Sequence, residues 1–410
     1  MLRANLDEEK IIGQAFSSFQ SRNPGIKIEA IEAPSGHYDE KTDALVAGGT
    51  APALWFPAEN RGYRYYASRD TLQILDPFIA TDKYDLTDFF SVAIDFCKWN
   101  GKYVAMPIDL YPQILVYNKT LFDNVGAPTP TRDWEDKTWN WSKFFDVGKS
   151  LLRDPGQPSA QYGTARAWGD TWTYSWIYGG DWFEPEGYVT GFPKQFPVQA
   201  DAVTEGMQFD VDCTYKFHIQ PTSVEAKALR GSLPTDFHTG KYGMLNTSPG
   251  SFKSLGTITS FQWGVAAMPV PPTLARHNTL NPDQWATFKG QQHPDEAWKL
   301  LSYMVGPEGL KVYPTQVGAL PSRRSVTKDW TAIVKGYTKL TDDDLNATLA
   351  AADHVQVRPS HAVVNFVDQI FGLGIGPTMT KLTANQMSAS TALAAMTPVV
   401  QGILANQKGG

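Results

Sequence analysis

The segment from Gly101 to Phe122 constrains the fold of this chain more than any other stretch. It holds two short apolar runs, Tyr103 to Met106 and Ile114 to Tyr117, separated by a polar and aromatic link that contains Pro107 and Pro112. A proline in the centre of a sheet removes a ladder hydrogen bond, so we expect two strands that meet end to end across an irregular link. Such a link is typical of a crossing between two lobes, with a ligand cleft beside it.

Composition restricts the class of protein. The chain has 410 residues, which suggests two or three domain-sized units. Its net charge of −6 argues against a nucleic-acid partner, because phosphate binding favours a basic surface. No stretch approaches the roughly 20 apolar residues of a membrane helix. The first residues show no secretory leader, so composition leaves open both a cytosolic protein and a mature exported one.

The cysteines and the aromatic residues add two expectations. Cys97 and Cys213 lie far apart, and we interpret them as two buried thiols, with a disulfide as the alternative in an exported chain. The 13 Trp, 17 Tyr and 21 Phe residues often cluster with Gly and Pro in irregular stretches. Core aromatic residues usually lie in periodic runs, so we expect part of this aromatic surface to be exposed.

Predicted strands and helices alternate along the chain, with long irregular inserts between them. Helical periodicity covers Leu6 to Phe19, Tyr38 to Val46, Asp85 to Cys97, Ala200 to Val211, Pro294 to Val305 and Gln386 to Leu404, the last interrupted at Pro398. Strand patterns cover Ile26 to Ala33, Ala53 to Phe56, Tyr242 to Leu245 and Gln262 to Met268, whereas Asn278 to Ala286 is predicted to be irregular. This order, without repeats or heptads, predicts an α/β architecture.

Polar residues in loops are the candidate ligand contacts. Glu59, Asn60 and Arg61 follow a predicted strand at its carboxyl end, where open α/β sheets bind ligands, although a solvated ion pair is an equal alternative. Asn246 to Ser251 is a polar loop that offers backbone amides and short hydroxyls. His37 and His361 also lie in predicted loops, where a lone surface histidine is the more ordinary interpretation.

Motifs for catalysis and metal binding are missing from the sequence. There is no GxSxG elbow, HExxH pair, CxxC set or P-loop, so we expect neither a cofactor nor a metal. The Asp342 to Asp344 run is typical of the first turn of a helix, with Thr341 as its cap. Asp109 could pair with Glu59 or Asp170 as glycosidase carboxylates, but spacing in sequence gives this no support.

Six short motifs, taken in order, resemble one family over nearly the whole chain. They resemble the family 1 extracellular solute-binding proteins of ABC importers, the group that includes the maltose-binding protein. The chain departs from the family pattern at Ala53, at Leu280 to Asp283 and at Phe252, which bears on the ligand more than on the fold. The motifs lie at Phe19 to Ile28, Ala47 to Leu54, Asn100 to Pro107, Leu115 to Phe122, Trp139 to Phe144 and Pro294 to Leu301.

The resemblance implies a periplasmic-binding-protein-like fold of type II, with two lobes joined by hinge crossovers near Pro107 to Pro112 and Val317 to Pro321. Lobe one would hold residues 1–110 and 285–318, and lobe two residues 111–284 and 319–410. The implied function is capture of a sugar or oligosaccharide for delivery to permease subunits, without catalysis. The implied protein is a monomer outside the cytoplasm, in the periplasm or extracellular, with a lipid anchor as one option.

The resemblance and the loop pattern together give a set of candidate ligand-binding residues. Flat sugar faces stack on aromatic rings, and hydroxyls bond to acidic, amide and guanidinium groups. Two alternatives stay open, a glycoside-active enzyme and a binding protein for a polyol phosphate or a peptide, in which Arg61 and Arg358 would clamp an anion. The candidates are Ser35, His37, Tyr38, Glu59, Asn60, Arg61, Asp109, Tyr111, Trp168, Asp170, Trp172, Asn246, Ser248, Ser251, Trp285, Arg358 and His361.

Overall fold

Two four-stranded sheets form the framework of the protein. A computed structural model of the chain describes residues 2–3, 6–33, 36–57, 61–165, 174–270 and 278–407. The strands are β1 Leu2–Arg3, β2 Glu32–Ala33, β3 Lys98–Trp99, β4 Lys102–Tyr103, β5 Ala105–Pro112, β6 Ile114–Asn118, β7 Tyr162–Thr164, β8 Tyr242–Thr247, β9 Trp263–Ala266, β10 Thr279–Ala286, β11 Leu320–Pro321 and β12 Gln356–Val357.

Helices surround these sheets. The first ones are α1 Leu6–Arg22, α2 Tyr38–Ala47, α3 Tyr63–Ala67, α4 Asp76–Asp82, α5 Ser91–Phe96, α6 Lys119–Val125, α7 Trp141–Ser150, α8 Tyr174–Ile177, α9 Pro185–Thr190 and α10 Ala200–Tyr215. They are followed by α11 Ser223–Arg230, α12 Phe252–Leu255, α13 Pro294–Met304, α14 Pro307–Val312, α15 Thr327–Tyr337, α16 Asp342–Ala351, α17 Pro359–Ala362, α18 Gly376–Thr383 and α19 Ala389–Asn406. Short 3₁₀ turns cover Asp236–Thr239, Pro249–Ser251, Thr315–Val317 and Arg324–Val326, and a π-helix covers Phe366–Ile375.

The central sheet has the order β11-β5-β10-β12. Strand β5 runs straight through Pro107, so the expectation that this proline ends the strand was wrong. The β5–β10 register shifts here: Asp283 lies opposite Asp109, and the next residue, Gln284, lies opposite Pro107. Bulges are one of the places where a strand tolerates a proline, which explains how the ladder passes this point.

The second sheet has the order β7-β8-β6-β9, and β6 follows β5 directly. Only Gln113 separates the two strands, and its backbone N–H donates to Thr279 O at 3.0 Å. The predicted meeting of two strands end to end is therefore confirmed, but the link is a single residue rather than the whole stretch from Pro107 to Pro112.

Strand β10 corrects the prediction that Asn278 to Ala286 is irregular. It pairs antiparallel with β5 from Leu280 opposite Pro112 to Ala286 opposite Ala105. Pro282 lies inside this strand, opposite Leu110, and its presence made the segment look like a loop. Pairing with the partner strands and the bulge, which are long-range features, stabilise this segment as a strand.

Apolar side chains at the two ends of each central strand belong to different hydrophobic cores. Met106 and Ile108 of β5 belong to a core with α1 and α13, whereas Leu110 belongs to a second core with β6 and β8. Strand β10 makes the same change in reverse, with Leu280 in the second core and Trp285 in the first. A further cluster joins α10, α18 and α19.

Several predicted elements are shorter or longer than the sequence pattern suggested. In Ile26 to Ala33 only Glu32–Ala33 is a strand, paired parallel with Leu2–Arg3, and in Ala53 to Phe56 only Trp55 bridges to Ala286. The predicted helix Asp85 to Cys97 begins at Ser91, because Asp85 Oδ1 accepts from the Thr87 N–H at 2.8 Å and holds a turn there.

Helix α19 runs through Pro398, where an interruption was expected. The loss of one helical hydrogen bond there is offset by a continuous buried stripe that includes Leu393, Met396 and Val400. The capping box of Thr341 with Asp344 is confirmed, and Asp344 also pairs with Arg132 at 2.8 Å.

The cysteines and the aromatic residues gave opposite outcomes. Cys97 and Cys213 are free and buried, as predicted. The expected exposed aromatic surface is not found in the described residues, where the exposed large hydrophobic side chains are aliphatic, for example Val224 and Leu373. Aromatic residues from irregular stretches, such as Trp182, pack into the cores instead.

In the described part of the chain, the helices are too short or too polar to cross a membrane.

Candidate ligand-binding site

One face of the central sheet is polar. Tyr111 lies opposite Asn281 and Asp109 lies opposite Asp283 in the β5–β10 ladder. Because residues directly opposite each other share a face and neighbours along a strand alternate, these four side chains lie on one face. Leu110, between them in sequence, contributes to the hydrophobic core on the other face. The ladder thus fixes two carboxylates, an amide and a phenol side by side on a rigid support.

The groups on this polar face differ in exposure, since Asp109 is buried and Tyr111, Asn281 and Asp283 are half-buried. Asp109 is 0% exposed, and its Oδ2 accepts a hydrogen bond from the Tyr111 hydroxyl at 3.3 Å. Asn281 Oδ1 is buried and accepts no hydrogen bond from the described residues. Buried polar atoms in proteins are nearly always hydrogen-bonded, so this oxygen is an acceptor that a ligand hydroxyl can use.

The segment Asn246 to Ser251 packs against Tyr111. A side chain at Gly250 would place its Cβ 2.8 Å from Tyr111 Cε1, so the ring rests directly on this glycine backbone. Ser248 Oγ lies 3.8 Å from the same Cβ position, which brings this serine next to the ring. The structure therefore unites Asp109, Tyr111 and Ser248, three of the residues predicted from the sequence.

The rest of the segment differs from the predicted polar loop. Asn246 lies inside strand β8, where it pairs with Leu115, and is 7% exposed. Neither its amide nitrogen nor its amide oxygen has a hydrogen-bond partner in the described residues. Ser251 ends a 3₁₀ turn, and its hydroxyl donates to Ser248 O at 2.8 Å and accepts from Thr247 Oγ1 at 3.0 Å. The hydroxyl of Ser251 thus stabilises the turn.

Arg61 is bound to other parts of the protein. Its guanidinium pairs with Asp43 and with Asp368, the latter at 3.2 Å, and lies 4.9 Å from the ring centroid of Tyr65. Burial alone lowers the pKa of Arg61, but the hydrogen bonds and charges of Asp368 and Asp43 outweigh it, so the pKa is raised. The predicted ligand contact is therefore a permanently charged group that two carboxylates already neutralise.

Arg358 and His361 form a local pair. The structure places His361 in helix α17 and not in a loop, and its Nδ1 lies 3.3 Å from Arg358 Nε and 3.1 Å from Ser360 Oγ. Burial and the Arg358 charge lower the pKa of His361 well below its usual value, so the ring is neutral at pH 7. His361 and Arg61 line the same small cavity.

Three predicted contacts lie in other surroundings. Tyr38 is fully buried at the start of α2, where its hydroxyl donates to Phe56 O. Trp285 is also fully buried, with its ring centroid 5.2 Å from that of Phe56. Both side chains belong to the hydrophobic cores. His37 is exposed and pairs with Glu40 at 2.9 Å on the first turn of the same helix.

Six predicted contacts lie outside the described residues: Ser35, Glu59, Asn60, Trp168, Asp170 and Trp172.

Sequence reasoning missed Asn281 and Asp283. A signal was present, because Leu280 and Pro282 alternate with these two polar residues at the strand period of two. The proline hid this alternation, and only the pairing with β5 shows that both residues are next to Asp109 and Tyr111. In the described part of the chain no group of three or more His, Cys, Asp or Glu residues could hold a metal ion.

Two hydrophobic cores joined by continuous strands, with a polar sheet face at the junction, define a two-lobed binding protein. A family model described as bacterial extracellular solute-binding protein matches residues 4–311. The match spans well over half of the chain, so this protein belongs to that family. The sequence resemblance is thereby confirmed.

Comparison with solved structures gives the same fold. A sugar transporter from Rhizobium etli in an open conformation superposes with a TM-score of 0.78 at 19% identity, over 98% of this chain and 99% of that chain. An ABC substrate-binding protein from Listeria monocytogenes in complex with cycloalternan gives 0.76 at 21% identity, over 97% and 96%. Maltose-bound MalE3 from T. maritima gives 0.71 at 19% identity, over 96% of each chain. The predicted periplasmic-binding-protein-like fold of type II is confirmed.

A sequence relative agrees with this assignment. A protein of Brucella abortus (strain 2308), which carries a provisional name as a binding protein, is 23% identical over 314 residues. The aligned region covers 76% of this chain and 72% of the relative.

Proposed function

We propose that this solute-binding protein captures a sugar or oligosaccharide between its two lobes and delivers it to the permease subunits of an ABC importer. The observation that carries the proposal is the polar face formed by Asp109, Tyr111, Asn281 and Asp283. A sugar hydroxyl donates and accepts at once, which suits carboxylate and amide groups in fixed positions. The Tyr111 ring adds an aromatic surface for the apolar face of a sugar.

The proposed lobes are residues 1–110 with 285–318, and residues 111–284 with 319–410. Support comes from β10, where Leu280 and Trp285 contribute to different hydrophobic cores on either side of the boundary between residues 284 and 285. Closure over a ligand is then a shift in population between open and closed states. Removal of water on closure strengthens the hydrogen bonds to the ligand.

The solved relatives support carbohydrate as the ligand class. The Listeria monocytogenes protein was solved with cycloalternan and the T. maritima protein with maltose. We further propose that the protein acts outside the cytoplasm as a monomer, without catalysis and without a nucleic-acid partner. A lipid anchor to the membrane is compatible with this role.

A thermal-shift screen tests the proposal. The panel holds linear and cyclic glucans, other oligosaccharides, phosphorylated polyols and peptides, and the best ligand is then titrated by calorimetry. A ligand at about 100 times its Kd stabilises the protein by about 2.7 kcal/mol, which gives a clear shift. Asp109→Asn should remove most of the shift, and Asp95→Asn, at an exposed ion pair with Lys98, is the matched control. A response to peptides or phosphorylated polyols alone would contradict the proposal.

A hydrolytic function is the second candidate, because Asp109 and Asp283 lie opposite each other. Carboxyl groups about 5 to 10 Å apart can serve glycoside hydrolysis. The same titrations, followed by chromatography of the recovered sugar, distinguish binding from turnover. Intact sugar after prolonged incubation supports the binding protein, and product that disappears with Asp283→Asn supports the enzyme.

A further inference from the structure

Arg64 of helix α3 reaches across to two segments that are far away in the sequence. Its Nη1 donates to Tyr188 O at 2.6 Å and to Ala362 O at 2.9 Å, and Val189 O at 3.3 Å shares one of these two N–H groups. The residue is only 7% exposed. A buried guanidinium with three carbonyl acceptors from other segments is a fixed structural link, because hydrogen bonds to charged groups are stronger than neutral ones.

The link lies where two hydrophobic cores meet. Helix α3 contributes Tyr63 and Tyr66 to a cluster with Trp55. The acceptors lie in or next to α9 and α17. Of these, Ala362 belongs to the cluster of α3, whereas the nearby Phe183 and Val363 belong to the cluster of α10 and α19. On the lobe division proposed above, Arg64 is in lobe one and all three acceptors are in lobe two.

Residues of lobe one also hold the guanidinium in position. Arg64 Cζ lies 4.7 Å from the ring centroid of Phe96 and 5.9 Å from that of Trp99. Arg64 Nε also donates to the Tyr63 hydroxyl at 3.1 Å. Because the planar group is fixed by these contacts, little side-chain entropy is lost when the carbonyls bind.

Arg61 provides a second link beside the first. Its Nε donates to Asp368 Oδ2 at 3.2 Å, and Asp368 lies in the π-helix Phe366–Ile375 that follows α17. The same interface is closely packed at Gly191, where a Cβ would lie 3.0 Å from Val364 and 3.1 Å from Trp99. Two charged links and a tight glycine contact thus connect the same pair of surfaces.

We propose that Arg64, with Arg61 as the second link, forms a clasp that sets the balance between the open and closed states. The clasp is defined as Arg61 and Arg64 with their partners Asp368, Ala362, Tyr188 and Val189. The inference rests on the two lobes of the proposed function. Opening removes the three carbonyl groups from the guanidinium, so the clasp favours the compact state even without a ligand. Arg64 is therefore a positioning residue that acts on ligand affinity through the lobes.

The expected effect is a population shift. Loss of the charge-assisted hydrogen bonds of Arg64 should move the equilibrium towards the open state by about tenfold. Ligand affinity should then fall by up to the same factor, mainly through faster dissociation, because the binding face itself is unchanged.

Small-angle X-ray scattering of the full chain without sugar tests the clasp independently of the ligand. A compact chain of this length has a radius of gyration of about 22 Å. Arg64→Gln should increase this radius over that of the wild type. Arg69→Gln is the control, because Arg69 is in the same region but its contacts in the described residues are local: it donates to Tyr65 O at 2.8 Å and to Ser68 Oγ at 3.3 Å, and stacks on the Tyr65 ring. Its scattering should match the wild type.

The result that overturns the clasp is an Arg64→Gln protein with unchanged scattering and a lowered melting temperature, which would mean ordinary packing within one body. If this variant does not fold, Asp368→Asn breaks only the exposed second link and should give a smaller expansion. Unchanged scattering of Asp368→Asn would then also overturn the proposal. A negative sugar screen leaves both scattering results valid, so the two proposals can fail separately.

Discussion

The sheet face around Asp109 and the cavity around His361 were both predicted as ligand contacts, and they differ in how their polar groups are used. On the sheet face, the β5–β10 ladder holds Asp109, Tyr111, Asn281 and Asp283 in place, and Asn281 keeps an acceptor without a partner in the described residues. In the cavity, the charged groups neutralise each other, as Arg61 does with Asp43 and Asp368. The acceptor of Asn281, fixed by a backbone ladder, is available to a ligand, whereas mutually paired charges stabilise the protein.

The strongest test of this difference is Asp109→Asn. The substitution keeps the shape of the side chain and removes its charge, so hydrogen bonds to a charged acceptor become neutral ones. Such bonds contribute about 1.5–3 kcal/mol each, and we expect ligand affinity to fall by about 100-fold. Calorimetric titration with the best sugar of the screen measures it. A loss of affinity of less than threefold would show that the ligand binds elsewhere than on the sheet face.

Gly250→Ala tests the contact between the sheet face and the turn Pro249–Ser251. The new methyl group would lie 2.8 Å from Tyr111 Cε1, so the ring must move away from its place beside Asp109. We expect a loss of affinity of about tenfold with little change in melting temperature. Gly13→Ala, in α1 with no atom within 4 Å of the new methyl group, is the matched control and should bind normally. Equal ligand affinities of the two variants would show that Tyr111 does not contact the ligand.

The sequence predicted those parts of the fold that depend on local pattern. Helices α1 and α13 follow from their apolar stripes, and strand β8 from the short run Tyr242 to Leu245. Strand β10 was missed because a proline such as Pro282 is normal in a strand only beside a bulge. The bulge depends on the partner strand β5, which is far away in the chain, as the pairing of Asp283 with Asp109 shows.

The candidate site shows the same limit. Asp109 and Tyr111 could be predicted because they lie in a proline-flanked segment between two apolar runs. The pairing of Arg61 with Asp368 joins residues 307 positions apart, and no local pattern contains that information. Sequence reasoning therefore located the polar residues but could not tell which charges were already neutralised by the fold.

The cavity should respond to pH rather than to ligand. The folded-state pKa of His361 is lowered, so the unfolded chain binds the proton more readily, near its usual pKa of about 6.5. The contribution of the neutral ring to stability is complete above about pH 7 and is lost as pH falls below it, by up to about 1.4 kcal/mol per pH unit.

His361→Gln should remove this part of the pH dependence. Urea unfolding at pH 7.5 and pH 5.5 measures the change in free energy of unfolding for the wild type and the variant. The exposed His293, changed to Gln, is the control and should keep the wild-type slope. An unchanged slope in His361→Gln would show that the cavity does not exclude the proton.

Arg61→Gln gives the smallest expected change in binding. It tests the difference between the sheet face and the cavity most directly. If the guanidinium only joins Asp43 and Asp368, its removal should lower affinity by about threefold through the second link of the clasp, and stability by about 1 kcal/mol. If instead it bonds to the ligand, affinity should fall as far as it does in Asp109→Asn. Calorimetry and urea unfolding of the same preparation give both numbers. Arg61→Gln leaves Asp43 and Asp368 without their cation, so the double variant Arg61→Gln with Asp368→Asn should recover part of the lost stability. The double variant should not recover any affinity that Arg61 contributes by direct contact with the ligand.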